Sequence, residues 1–96
     1  MNKRVGIGII GTGFARTTQI PAFQQVEGAF IASVASHSLE NARTTAEASG
    51  AAHFTADWRE TVAHPQVDLV CITTPPVFHR EMTLAALANN KHVLCE

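Results

Sequence analysis

The sequence predicts an α/β fold: a Rossmann-like, doubly wound parallel sheet of about five strands in the order 3-2-1-4-5. Three observations carry that prediction. Apolar runs of strand length alternate with helix-like segments along the chain, a spacing that gives parallel strands joined by right-handed crossovers. The first apolar run ends in Gly11-Thr12-Gly13 and passes directly into a helix-like segment. A parallel strand hands over in this way to a helix whose N-terminal N–H groups hold a phosphate. The second run, residues 30–35, is small and apolar throughout, as expected of a strand covered on both faces.

Each element follows from local signals. The first strand spans residues 4–10. The helix after it starts near Phe14, and Pro21 either kinks it or opens a second segment, since proline is tolerated only in a first turn. Phe23 and Val26 continue an apolar face that Gly28 ends. Ser38 is an N-cap for an Ala-rich helix over 39–49, with Gly50 as its stop. A short third strand lies near His53 and Phe54. Asp57-Trp58-Arg59-Glu60 reads as a capping box, the acid at the N-cap and Glu60 reaching back, for a short helix ending before His64-Pro65. A fourth strand over 67–72, a rigid Thr73-Thr74-Pro75-Pro76 loop, a helix over 78–88 and a fifth strand over 92–95 follow. There are no internal repeats, linkers or low-complexity segments. The chain stops at Glu96, at a strand end where α/β proteins place ligand-facing loops, so the sheet is expected to be incomplete.

With 96 residues the chain makes one domain at most. A 46% apolar and 16% charged composition describes a globular chain with buried strands. A net charge of −1 without a Lys/Arg cluster argues against nucleic acid or an anionic membrane surface as partner. No apolar run approaches the ~20 residues of a membrane span. The basic start, Met1-Asn2-Lys3-Arg4, leads into a glycine-broken run, which is a poor secretory signal. Cys71 and Cys95 both fall in strand-like runs without metal spacing, so both are expected as buried, reduced thiols of a cytoplasmic protein.

Two glycine registers compete at the N-terminus. Gly6-Ile7-Gly8-Ile9-Ile10-Gly11 fits G-x-G-x-x-G letter for letter, but it lies inside the strand, where N–H groups pair with neighbouring strands. The later register, from Gly11, has a strand before it and a helix after it. It carries Arg16 where a third small residue is usual. In it, Gly11 serves a tight turn and Gly13 lets the backbone approach a pyrophosphate with no Cβ in the way. The plain alternative is a strand–helix turn that needs glycine for geometry alone.

The chain resembles the N-terminal domain of the Gfo/Idh/MocA oxidoreductases over essentially its whole length. Four blocks carry the resemblance, in order and spacing. They are Gly8-Ile9-Ile10-Gly11-Thr12-Gly13; Ala32-Ser33-Val34-Ala35-Ser36-His37-Ser38; Asp68-Leu69-Val70-Cys71-Ile72-Thr73-Thr74-Pro75 with His79 beyond; and the segment from Ala85 through Lys91-His92-Val93-Leu94-Cys95-Glu96. In the family the last block continues into a Lys-Pro pair whose lysine is the usual catalytic residue. Here Glu96 is present and the lysine is not, so no catalytic residue is assigned. The resemblance implies a nicotinamide-dependent oxidoreductase acting on a sugar, cyclitol or similar polyol. It implies that residues 1–96 are a dinucleotide-binding fragment, with the substrate pocket on a second domain.

On that resemblance Gly11, Thr12, Gly13, Phe14 and Ala15 cradle the pyrophosphate, whose negative charge the helix dipole favours. Thr73, Thr74 and Pro75 line the cofactor beside the first strand. His79 lies close to the nicotinamide end, against the plain alternative of helix-start packing, and Glu96 completes the cofactor set. Pro76 replaces an asparagine common in the family loop. Asn89-Asn90 stands for a frequent Ala-Gly, and Asn90 accepts the left-handed conformation that glycine supplies more easily.

Cofactor choice turns on the end of the second strand. NAD selection normally uses an acid about 20 residues beyond the glycines to bind the ribose 2′-hydroxyl. This chain has Ser36-His37-Ser38 there, with no acid until Glu40. Ser36 and Ser38 can donate hydrogen bonds, His37 adds charge when protonated, and Arg43 is placed to reach the same side. NADP is therefore expected over NAD, against the plain alternative that Ser38 only caps its helix and His37 is solvated.

The remaining candidates read as packing. His53, His64 and His92 have no second ligand at metal spacing, so no metal is expected. Trp58 is a core or helix-packing anchor and Asp68 a turn or cap residue. No nucleophile elbow and no phosphate-binding G-x-x-x-x-G-K-[ST] loop is present, which argues against acyl and phosphoryl transfer. The competing function is a non-catalytic nucleotide-binding or interaction module. It would pair through an exposed sheet edge, with homo-oligomers as one outcome. A methyltransferase using S-adenosylmethionine is disfavoured, because Ser36 stands where an acid is wanted.

Overall fold

Five parallel strands form one sheet in the order β3-β2-β1-β4-β5. They are β1 (Val5–Ile10), β2 (Ala29–Ala35), β3 (His53–Thr55), β4 (Leu69–Ile72) and β5 (His92–Cys95). The computed structural model describes residues 4–13 and 19–95. Between the strands run α1 (Ile20–Gln24), α2 (Leu39–Ser49), α3 (Trp58–Ala63) and α4 (His79–Ala88), the last preceded by a 3-10 turn, Pro76–Phe78. Every strand pair is parallel. The strand order therefore reverses between β1 and β4, the switch point at which open α/β sheets bind ligands.

The sheet is covered on both faces, and β1 shows how. Ile7 and Ile9 pack on one side with Ile20, Ile31, Ala42, Ala46 and Cys71, beneath α1 and α2. Ile10 packs on the other with Val62, Val67, Ile72, Met82 and Ala86, beneath α3 and α4. The positions that alternate with Ile7 and Ile9 are Gly6 and Gly8. A Cβ on Gly8 would lie 2.8 Å from Thr61 and 3.0 Å from Val67 side-chain carbons. These two glycines let α3 and the loop after it press directly onto the strand.

β2 holds one residue more than β1 over the paired stretch. Ile7 faces Ile31 but Gly8 faces Ser33, so Ala32 is the extra residue of a bulge. The buried Ser33 hydroxyl is bonded to Thr61 Oγ1 and to His53 Nδ1, each at 2.7 Å. The bulge thereby ties β2 to α3 and β3 through a satisfied polar cluster.

Local signals act largely as expected. Ser38 accepts the Asn41 N–H at 3.2 Å, and Gly50 ends α2 with φ +81°. Pro21 sits in the first turn of α1, where proline is tolerated. Asn90 takes φ +62°, the left-handed turn between α4 and β5. Asp57 caps α3 by accepting the Arg59 N–H at 3.0 Å. Glu60 does not close the box: its carboxylate turns to His53 Nε2, 3.5 Å away. Asp68 clips the sheet, its carboxylate accepting the Gly6 N–H at 2.9 Å. Cys71 is buried as expected, but Cys95 is exposed, because β5 is the outermost strand of the described sheet.

At the N-terminal strand ends, Lys91 Nζ donates to the carbonyls of His64 (2.9 Å) and Val67 (2.6 Å). The centroid of the His64 ring lies 4.7 Å from that of His53, the two planes tilted by 45°. Burial, then the His53 ring and the Lys91 ammonium, hold the His64 imidazole below its ordinary value of 6.5. Above that pH the ring is neutral in both folded and unfolded chains and contributes nothing. Below it the unfolded chain takes up the proton more readily, so stability falls as pH drops from about 6.5. His64→Asn should flatten the acid side of a denaturation-midpoint-against-pH curve. An unchanged slope would remove His64 from the account.

Candidate functional site

The C-terminal ends of β1, β2 and β4 open onto a cleft of about 230 Å³ with a predominantly apolar lining. Its floor is the turn after β1. Gly11 has φ +95°, in the left-handed region, and a Cβ there would lie 2.8 Å from Thr73 Oγ1. The Gly11 N–H donates to Ala35 O, and the Thr73 N–H donates to Ile10 O, both at 2.9 Å. The Thr73 hydroxyl donates to the carbonyl of Ile10 or Gly11, each 3.1 Å away. The turn is thus fixed to both neighbouring strands before any ligand arrives.

Gly13 differs from the other glycines of this stretch. An added Cβ would meet nothing within 4 Å among the described residues. Gly13 is itself among the residues that line the cleft.

The two walls come from β2 and β4. Ser36 lines the cleft with its hydroxyl 3.5 Å from Thr12 Oγ1, while accepting the Ser38 N–H at 3.4 Å. Its own N–H donates to Thr55 O at 3.2 Å, which fixes the β2 end against β3. His37 is exposed, with its ring 6.1 Å from that of Phe78. Thr73, Thr74 and Pro75 form the opposite wall.

Of the residues the sequence singles out, Gly11, Thr12, Gly13, Ser36, His37, Thr73, Thr74 and Pro75 meet around this one cleft. Phe14, Ala15 and Glu96 lie outside the described residues. Arg43 is not brought to the cleft. On the outer face of α2 it pairs with Glu40 and with Glu47, the latter at 2.7 Å. Hydrogen bonds that it donates to Glu40 and then to Glu47 raise its pKa further above the ordinary arginine value. His79 is likewise not among the lining residues. It stands behind Thr74, its Nε2–H donating to the Thr74 carbonyl.

Five lining residues were not singled out for the site: Ile10, Ala35, Ala56, Trp58 and Met82. Trp58 is half-buried against the α3/α4 side of the core, as a packing anchor should be, yet it also walls the cleft. Its position just past the C-terminal end of β3, level with Gly11 and Ser36, was the available signal.

Residues 5–96 match the oxidoreductase family with an NAD-binding Rossmann fold. The human glucose-fructose oxidoreductase domain-containing protein 2 is 33% identical over 96 residues, all of this chain and 25% of that protein. An NAD binding oxidoreductase from Klebsiella pneumoniae superposes with a TM-score of 0.86 at 35% identity, covering 96% of this chain and 27% of that one. A mutant 3-ketoreductase from Actinomadura kijaniata, solved with TDP-benzene and NADP, gives a TM-score of 0.90 at 26% identity, covering 97% and 29%. The chain thus spans about a quarter of the length of these relatives. Fold, strand order and a match over nearly the whole sequence agree: the chain belongs to the Gfo/Idh/MocA oxidoreductase family, through its NAD-binding Rossmann domain.

Proposed function

We propose that residues 1–96 are the dinucleotide-binding domain of an oxidoreductase acting on a sugar, cyclitol or similar polyol, and that the cofactor is NADP in preference to NAD. One observation carries the reading: a fixed, left-handed Gly11 turn followed by an unobstructed Gly13, at the mouth of the cleft between β1, β2 and β4. A dinucleotide pyrophosphate fits that corner, since a side chain on Gly13 would fill the space a phosphate needs. When bound, the nicotinamide would supply the two-electron chemistry that accepts or donates a hydride.

In this reading the chain's own residues bind and orient. Gly11, Thr12 and Gly13, continued by Phe14 and Ala15, meet the diphosphate. Thr73, Thr74 and Pro75 hold the cofactor against the end of β1. His79 and Glu96 extend the set toward the nicotinamide end, His79 by fixing Thr74. Ser36 and His37 face the ribose, with hydroxyl and imidazole donors where an acid would select NAD. Glu40 is tied to Arg43, so neither the nearest carboxylate nor that guanidinium competes for this position. Substrate contacts and the proton-transferring lysine belong to sequence matching the remaining three quarters of the relatives. The two thiols fit a cytoplasmic setting.

Fluorescence titration of the chain with NADPH and NADH tests both halves of the proposal. Tighter binding of NADPH, by about tenfold or roughly 1.4 kcal/mol, is the expected result. Tighter NADH binding would overturn the cofactor choice, and no binding of either would overturn the dinucleotide reading. The 96-residue chain alone should show no polyol oxidation.

A further inference from the structure

Cys95 and His79 form a nucleophile–base pair; the dinucleotide reading uses His79 only to fix Thr74 and gives Cys95 no role. Cys95 ends β5 and is exposed, whereas His79 opens α4 and is half-buried. The His79 Nδ1 atom lies 3.0 Å from Cys95 Sγ. On its other side the ring donates Nε2–H to the Thr74 carbonyl, which leaves the Nδ1 lone pair directed at the thiol. A thiol, an acceptor nitrogen and a third group that orients the ring are the parts an activated cysteine requires. Cys71, the other cysteine, is fully buried in the core and so offers an internal contrast.

We propose that Cys95 is a thiol-modification site with His79 as its general base, and that it takes low-molecular-weight disulfides to form a mixed disulfide. The inference does not rest on the dinucleotide reading. As the Cys95 sulfur attacks one sulfur of R–S–S–R, its proton passes to His79 Nδ1. A Cys95–S–S–R bond forms and the original S–S bond breaks. The departing R–S⁻ takes the proton back from the imidazolium and leaves as R–SH. Cys95 is oxidised and one half of the reagent is reduced, so no further oxidant is needed. Disulfides suit the geometry because exchange requires only open access to the sulfur and a stable leaving thiolate. An acyl substrate would in addition need donors for a developing oxyanion. Thr74, which orients His79, lines the cleft, whereas His79 and Cys95 do not.

The experiment follows the release of thiolate from dithiobis(nitrobenzoic acid) mixed with the native chain. A single fast phase is expected, lost in Cys95→Ser and kept in Cys71→Ala. His79→Gln retains an amide donor for Thr74 but has no basic nitrogen. It should slow the fast phase about tenfold at pH 7, at the modest end of general-base effects. The two rates should converge above about pH 9, where a free thiol ionises without help. As a check independent of folding in the variant, Cys95 in the native chain should react faster at pH 7 than in the urea-unfolded chain. Equal rates in native and unfolded chains, or a His79→Gln rate matching the parent at every pH, would overturn the proposal.

Discussion

Gly6→Ala is expected to cost about 3 kcal/mol of stability or more, the upper end of overpacking penalties. The added Cβ would sit 1.7 Å from the Gln66 carbonyl oxygen and 3.1 Å from Phe30 Cζ. The first of these is backbone and cannot swing aside. The segment it belongs to is fixed as well: Asp68 accepts the Gly6 N–H through its carboxylate, and its own N–H donates to Gly6 O at 2.7 Å. Relief would require pulling β4 from β1 at the centre of the sheet. In a domain of this size such a loss lowers the melting temperature by on the order of 15 °C. Thermal denaturation followed by circular dichroism reads it, and an unchanged midpoint would show that β1 and the loop before β4 are not in this contact.

Gly13→Val should have the opposite signature. Nothing among the described residues lies within 4 Å of the added Cβ, so the melting temperature should stay within a few degrees of the parent. Dinucleotide binding should weaken about a hundredfold, equivalent to about 2.7 kcal/mol, because the branched side chain occupies the space proposed for the pyrophosphate. Titration calorimetry with NADPH reads this directly. Unchanged affinity with unchanged stability would mean that the cofactor lies elsewhere.

The two substitutions separate the two glycine registers of the first fourteen residues. Only the earlier register matches G-x-G-x-x-G letter for letter, since the later one carries Arg16 in its third position, and the surroundings decide between them. Gly6 and Gly8 are demanded by the close approach of Gln66, Thr61 and Val67. Gly11 is demanded by a left-handed turn against Thr73, and Gly13 by nothing in the described protein. A position that needs no glycine for packing is where a ligand explanation has room.

Much of the architecture was legible because local signals and the global fold agree. Ser38, Gly50, Pro21 and Asn90 each carry a conformational preference that the structure uses at that residue. The order of strands follows from alternating strand and helix once the crossovers have one hand. Half of the capping box at Asp57 was not legible, because Glu60 finds a partner, His53, that is adjacent only in the folded chain. The bulge at Ala32 was hidden for the same reason: an extra residue shows only against its neighbour strand. β4 begins at Leu69 and not Val67, whose N–H turns back to His64 O at 3.1 Å.

The site divides along similar lines. The floor and the wall after β4 could be read from the sequence, since turn chemistry and strand ends fix them. Arg43 could not, because sequence spacing gives its reach but not its rivals, Glu40 and Glu47, one turn away on either side. Trp58 was read for its apolar bulk alone, whereas its place beyond a strand end gives it two surfaces to cover. Cys95 was expected in the core because its neighbours in sequence are apolar, and it is exposed because β5 is an edge strand of the described sheet.

Amide NMR spectra of the isotope-labelled chain, taken through a titration with NADPH, test the central claim most directly. The amide signals of Gly11, Thr12, Gly13, Ser36 and Thr74 should move together with one affinity, while those of His64, Gln66 and Lys91 at the opposite sheet end stay fixed. Shifts centred on that opposite end, or none at Gly11 to Gly13 under saturating NADPH, would contradict it.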